Sequence, residues 1–132
     1  MHIGEYLPFW NKLTAAERTQ LEDAAVLHRF AHGAMLHEGG TCTGLIVVVS
    51  GRVRAYMLSA DGRELTLYRL LERDVCLLSA SCALRGLDFD VMLAAETDCE
   101  VFVIPADVYQ TVMQQSPAVS AFTNELMAAR FS

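Results

Sequence analysis

Two thiols and two hydroxyls lie close together in segment 76–82, the part of the chain with the most distinctive chemistry. Cys76 and Cys82 flank Ser79 and Ser81. Serine hydroxyls can donate and accept hydrogen bonds to a small ligand, and two thiols within reach of each other can report redox state. The same composition also suits a buried turn, in which cysteine acts as a small apolar group. The sequence leaves both interpretations open.

Histidines and the remaining cysteines do not predict a metal or cofactor site. His28 and His32 share a face only on a helix, and their surroundings indicate strand and turn, so we interpret them and His37 as surface or turn residues. An iron–sulfur cluster needs closely grouped cysteines, whereas the four cysteines of this chain, including Cys42 and Cys99, are spread out. We therefore expect no metal and no cofactor.

The chain contains none of the common sequence motifs by which enzyme classes are recognised. It has no G-x-S-x-G elbow, no P-loop and no dinucleotide-binding glycine fingerprint. A metal site of the cupin type needs histidines on later strands, and no histidine follows His37. We predict that the protein is not an enzyme.

Composition indicates one folded domain that does not bind nucleic acid by itself. The chain has 132 residues, 53% of them hydrophobic, and a net charge of −6, which disfavours contact with a phosphate backbone. No apolar run is long enough to span a bilayer, and the N-terminus has no signal-peptide character. We expect no membrane partner and a cytoplasmic location, where the cysteines would be reduced and mostly buried.

The chain divides into three stretches that differ in the periodicity of their apolar residues, and these stretches position the candidate residues. Residues 5–25 form an N-terminal helical segment, in which Thr14 and Glu17 make a capping box. Residues 26–104 contain short strands separated by glycine turns, including the fully apolar run 45–49 and a hairpin turn at 61–62. Residues 105–132 return to helical spacing. The pattern predicts a single domain over 1–132, mainly β, with helices at both ends.

The last helix carries apolar residues at spacings of three, four and three, namely Val119, Phe122, Leu126 and Ala129. Such a seam is typical of a helix that pairs with a second copy of itself, which predicts a homodimer. The alternative is that these residues pack on the roll that the strands of their own chain form.

Five phrases, in the correct order, resemble the effector domain of CRP/FNR-type transcription regulators, which has the cyclic-nucleotide-binding fold. They are segments 7–14, 33–40, 45–53, 59–64 and 99–105. The resemblance implies a double-stranded β-helix, or jelly roll, with flanking N- and C-terminal α-helices, an internal pocket for a small-molecule effector, and a C-terminal dimerisation helix. In this family a helix-turn-helix follows that helix, so DNA binding would belong to a part absent from this chain.

The stretch that matches the family's phosphate-binding cassette is altered. Where nucleotide-binding members have a Gly-Glu pair this chain has Leu77 and Leu78, and where they have an arginine it has Asp88 or Phe89. Losing a charged contact to phosphate costs about 1.5–3 kcal/mol, so the resemblance predicts no binding of cyclic AMP in the usual pose. Arg85 is the one cation between residues 76 and 90 and can partly substitute.

Together these considerations predict a ligand-sensing regulatory domain with an effector of unknown identity. The predicted effector-binding residues are Cys76, Leu77, Leu78, Ser79, Ser81, Cys82, Arg85 and Asp88. The alternative is a structural dimerisation module whose pocket is filled by side chains such as Leu87.

Overall fold

Two four-stranded antiparallel sheets face each other in the computed structural model, which describes residues 2–39, 42–77, 79 and 91–131. Short 3₁₀ turns at Ile3–Tyr6 and Trp10–Lys12 precede the first helix. The elements are α1 (Ala15–Ala24), β1 (Val26–Phe30), β2 (Met35–His37), β3 (Leu45–Ser50), β4 (Val53–Leu58), β5 (Glu64–Leu70), β6 (Val75–Cys76), β7 (Met92–Ala95), β8 (Cys99–Ile104), α2 (Ala106–Gln115) and α3 (Pro117–Phe131). This architecture confirms the predicted mainly β jelly roll with helices at both ends.

The strands are arranged so that one sheet separates two apolar cores. The first sheet has the order β1-β8-β3-β6 and the second β2-β7-β4-β5. Strand β3 alternates between the cores: Leu45 and Val47 pack towards the helices, whereas Ile46 and Val48 pack between the sheets. We call the first the helix-side core and the second the roll core. The apolar run in β3 is therefore buried on both faces, as its sequence predicts.

The capping box at the start of α1 is present as predicted. The Thr14 hydroxyl accepts a hydrogen bond from the Glu17 backbone N–H at 3.2 Å, and the Glu17 carboxylate accepts one from the Thr14 N–H at 2.9 Å. These bonds satisfy amides that have no partner within the helix. They fix the point at which the N-terminal segment, through Leu13 and Leu21, joins the helix-side core.

The hairpin of β4 and β5 contains an irregularity that decides which side chains face the roll. Ala55 lies opposite Tyr68, but Tyr56 lies opposite Thr66, so a β-bulge at Leu67 shifts the register. Simple alternation along β5 would place Arg69 on the same face as Leu65 and Leu67. Because the bulge inserts one residue, Arg69 instead lies opposite Arg54, on the other face of the sheet.

Candidate functional site

Adjacent residues Cys76 and Leu77 enter different cores. Cys76 is fully buried in the roll core, where its Sγ lies 3.8 Å from the Tyr68 hydroxyl. Leu77 is buried in the helix-side core. The Leu77 side chain thus faces the helices and not the roll, away from the place where the sequence predicts an effector.

Ser79 has a structural role in place of the predicted ligand contact. It is fully buried, and its hydroxyl donates to the Gly44 carbonyl at 2.6 Å, with the Cys76 carbonyl 3.3 Å away. The Gly44 N–H in turn donates to the Ser79 carbonyl at 3.0 Å. The hydroxyl is thus occupied and inaccessible, which corrects its assignment as an effector-binding group.

The remaining predicted effector-binding residues lie outside the residues that the structure describes. They are Leu78, Ser81, Cys82, Arg85 and Asp88.

The described cysteines differ in redox state. Cys76 and Cys99 are free, buried thiols, and burial, with a smaller contribution from Asp98, raises the pKa of the Cys99 thiol. Cys42 is exposed and disulfide-bonded. The expectation of reduced thiols is therefore wrong for Cys42.

His37 is also buried, in contrast to the surface or turn position expected from the sequence. Its Nδ1 lies 2.6 Å from the Thr43 hydroxyl, and its side chain is 4% exposed. Burial lowers its pKa, and the nearby Glu38 carboxylate partly opposes that shift. His28 and His32 are exposed, as expected.

Sequence reasoning missed an apolar rim on the inner face of the β4–β5 hairpin. Met57 lies opposite Leu65, and Met57 packs against the roll core, so Leu65 shares its face. Leu65 is 55% exposed, and Tyr68, which lies opposite the buried Ala55, packs against the same core. We call Met57, Leu65 and Tyr68 the inner lip. Alternation along β5 could not have identified this surface, because the bulge at Leu67 brings Tyr68 onto the same face as Leu65.

The arginines on the strands of this hairpin lie on its outer face. Arg54 forms an ion pair with Glu64, and its guanidinium lies 4.1 Å from the centre of the Tyr56 ring. Arg69 binds Glu96 at 2.8 Å, and Arg52 binds the same carboxylate at 3.0 Å. Hydrogen bonding to Arg69 is the main reason that the pKa of Glu96 is lowered. The positive charges of Arg54 and Arg69 therefore face away from the inner lip.

The predicted dimer seam on α3 is mostly covered by its own chain. Val119, which the sequence predicts at a dimer interface, is fully buried in the helix-side core of its own chain. Phe122 packs edge-on against Phe9 at 5.1 Å between ring centres, and Leu126 is partly buried on the same core. Ala129 is exposed. The alternative that the seam packs on its own roll therefore describes its first residues correctly.

An open groove of about 460 Å³ lies on the outside of the first sheet, between the ends of β1 and β8. The Arg29 guanidinium and the Glu100 carboxylate beside it form an ion pair at 3.1 Å. Among the described residues no three His, Cys, Asp or Glu side chains are grouped closely enough to hold a metal ion. No helix in the described ranges has the length and apolar character needed to cross a membrane.

A model of the cyclic nucleotide-binding domain matches residues 27–116, which is more than half of the chain. The chain belongs to the cyclic nucleotide-binding domain family. A protein from Eubacterium rectale, assigned as a transcriptional regulator of the CRP/FNR family, is 45% identical over 96% of the chain, with a TM-score of 0.93. The chain thus resembles a CRP/FNR-type regulator over 59% of that regulator's length.

Two more distantly similar solved structures share the fold. The sensor domain of the regulator DNR from Pseudomonas aeruginosa is 17% identical, with a TM-score of 0.76 over 92% of this chain and 81% of its own. The catabolite activator protein of Thermus thermophilus is 21% identical, with a TM-score of 0.73 over 94% of this chain and 58% of its own. No curated protein sequence matches the chain. At these identities the two structures support the jelly-roll fold alone.

Proposed function

We propose that this domain senses a small molecule for a CRP/FNR-type transcription regulator and acts by binding, without catalysis. The observation that carries the proposal is the inner lip, where Leu65 is 55% exposed although it faces the inside of the roll. In a cyclic nucleotide-binding domain this apolar surface faces the side on which an effector would be bound. Burying it on a ligand would give the bound state additional stability.

We propose further that cyclic AMP does not bind in the usual pose. In the resembling nucleotide-binding domains a Gly-Glu pair contacts the ribose, and here the first of those positions is Leu77, buried in the helix-side core. The second is Leu78, and the position of the phosphate-binding arginine carries Asp88 or Phe89. None of these side chains can replace a guanidinium on a phosphate.

We also propose that the domain forms a homodimer through the exposed part of α3. Ala121 and Ala128 are seven residues apart, and Glu125 lies between them; all three are exposed, as is Ala129. A spacing of seven keeps side chains on one side of a helix, and small side chains allow two helices to approach closely. We do not propose that this domain binds DNA by itself, because its net charge of −6 disfavours contact with a phosphate backbone.

The dimer proposal is tested by light scattering of Ala128→Glu beside the wild-type chain. We expect wild type at twice the mass of one chain and the variant shifted towards one chain mass, because a longer side chain at position 128 would prevent the close approach of the two helices. Gln114→Glu on α2 is the matched control, since Gln114 is also exposed. A monomeric wild type, or equal masses for both variants, would refute dimerisation through α3.

The sensing proposal is tested by the melting temperature in a screen of nucleotides, small aromatic compounds, metabolites and oxidants. A ligand that binds only the folded state raises stability in proportion to the logarithm of its concentration, about 2.7 kcal/mol at one hundred times its Kd. We expect at least one compound to do so, and cyclic AMP at millimolar concentration not to. A screen in which every compound leaves the melting temperature unchanged would contradict sensing.

A structural dimerisation module is the second candidate, and one observation favours it. The roll core is filled: Val48, Val53, Ala55, Val91 and Leu93 are completely buried between the sheets. Close packing leaves no room for a ligand deep in the roll. The two candidates differ in outcome, because a scaffold would dimerise and respond to no compound in the screen.

A further inference from the structure

We propose that the effector of this domain is an uncharged, largely apolar molecule without a phosphate group, which binds against the inner lip of the β4–β5 hairpin. The inference rests on the proposed sensing function and names the chemical class that the lip would accept. It depends on the orientation of the lip, on its exposure and on where the charges of the hairpin lie.

The orientation of the lip follows from the strand register. Val53 lies opposite Leu70 and Met57 opposite Leu65, and directly opposed residues of an antiparallel pair point to the same face. Val53 and Leu70 are fully buried in the roll core, and Met57 packs against it. Leu65 therefore points to the inside of the roll, at the end of the hairpin where the core is no longer closed over it.

The exposure of the lip changes along the hairpin. Near the base of β5 Leu70 is fully buried and Tyr68 partly buried, whereas Leu65 is 55% exposed. A contiguous apolar surface that faces inwards and stays half exposed is the kind of surface that an apolar ligand covers. The filled core below it places such a ligand at the rim of the roll.

The described charges on the two strands of the hairpin do not favour a phosphate on this surface. Arg54 and Arg69 lie opposite each other on the outer face, and each is already bound to a carboxylate, of Glu64 and Glu96 respectively. Among the residues that the structure describes, the Tyr68 hydroxyl and the Cys76 thiol, 3.8 Å apart, lie beside the inner face. Neither a hydroxyl nor a thiol compensates for the desolvation of a phosphate.

The hairpin supplies a matched pair of variants. Leu58 is 50% exposed, close to the value for Leu65, but it lies opposite Glu64 on the outer face. Leu65→Gln and Leu58→Gln therefore make the same chemical change on the two faces of one hairpin. Both side chains are about half in solvent, so both variants should keep the far-UV circular dichroism and cooperative melting of the wild type.

The experiment is a fluorescence titration of the three proteins with N-phenyl-1-naphthylamine, an uncharged aromatic probe that brightens in apolar surroundings. We expect saturable binding to wild type, binding weaker by about fivefold or more in Leu65→Gln, and unchanged binding in Leu58→Gln. Millimolar cyclic AMP should neither displace the probe nor raise the melting temperature.

Other outcomes overturn the inference. An equal loss in both variants would mean that the probe binds the hairpin surface at large. Displacement of the probe by cyclic AMP would show that the proposed ligand class is wrong, although the domain would still be a sensor. Stabilisation of the fold by a charged compound without saturable probe binding would lead to the same conclusion. Dissociation of a dimer in Leu65→Gln alone would show that a second copy of the chain covers the lip. A protein that binds neither the probe nor any other compound would refute sensing as well.

Discussion

Ser79 and Gly44 hold each other through two hydrogen bonds, one from the Ser79 hydroxyl to the Gly44 carbonyl at 2.6 Å and one from the Gly44 N–H to the Ser79 carbonyl at 3.0 Å. The pair ties the start of β3 to the chain that follows β6. A residue that the sequence placed in an effector site thus joins two parts of the fold.

Replacing Ser79 by alanine should lower the free energy of unfolding in the absence of any ligand. The change removes the donor from the buried Gly44 carbonyl, and an unsatisfied buried acceptor costs about 1–3 kcal/mol. Chemical denaturation measures the effect. Thr111→Ala is the control, because the Thr111 hydroxyl is exposed and bonds within its own helix, to the Asp107 carbonyl. Equal stability of Ser79→Ala and wild type would return Ser79 to the list of possible ligand contacts.

Two glycines with positive φ should respond very differently to alanine. Gly44 has φ +120°, and a Cβ there would lie 2.2 Å from the Ile104 carbonyl oxygen, whereas Gly62 has φ +85° and no atom within 4 Å of such a Cβ. We expect Gly62→Ala to cost about 1–2 kcal/mol from backbone strain alone. Gly44→Ala adds a clash with backbone and should cost more than about 3 kcal/mol. Denaturation curves compare them, and similar costs would be inconsistent with this packing.

The sequence predicted local features of the fold better than the surroundings of individual side chains. The Thr14 capping box and the doubly buried run in β3 depend on residue type and spacing alone, and both are present. The bulge at Leu67 is a property of the pairing between two strands, so alternation along β5 could not show that Arg69 changes face.

The sequence could not predict the surroundings of the candidate site residues, because these depend on contacts between distant parts of the chain. Helical spacing shows that Val119 lies on an apolar face but not which surface covers that face, and here it is the chain's own core. Whether Ser79 offers its hydroxyl to a ligand depends on Gly44, thirty-five residues away. The half exposure of Leu65 likewise requires the three-dimensional structure, since alternation does not predict solvent contact.

Replacing Tyr109 on α2 and replacing Thr123 on α3, whose hydroxyls are in contact, should lower the stability of the protein by unequal amounts. Thr123 donates its hydroxyl proton to the Val119 carbonyl at 2.8 Å, so at the 2.6 Å contact the Tyr109 hydroxyl is the donor. Tyr109→Phe removes that donor and should cost about 1 kcal/mol, whereas Thr123→Val leaves the buried Tyr109 O–H unpaired and should cost about 1–3 kcal/mol. Calorimetry measures both, and a larger cost for Tyr109→Phe would reverse the assignment of the donor.

Stability should also fall at alkaline pH because of Tyr109. Burial raises its pKa to about 12, compared with about 10 in an unfolded chain. Between these values the unfolded chain has lost the proton and the folded chain keeps it, so the free energy of unfolding decreases as pH rises from about 10 to 12. Absorbance at 295 nm should show one tyrosine that titrates near 12, absent in Tyr109→Phe. A wild type in which every tyrosine titrates near 10 would contradict the burial.

The two free thiols should resist alkylation in the native protein. Cys76 is completely buried and Cys99 is 4% exposed, and burial raises the pKa of the Cys99 thiol, so little thiolate is present near pH 8. Mass spectrometry of peptides after brief treatment with iodoacetamide should find both unmodified until denaturant is added.

Cys42 provides the internal comparison, because it is exposed and disulfide-bonded: it should be modified in the folded protein only after reduction. Rapid labelling of Cys76 in native protein would show that the roll core opens at the inner lip, since Cys76 lies beside Tyr68 there. Labelling of Cys42 without reductant would show that its disulfide is absent in solution.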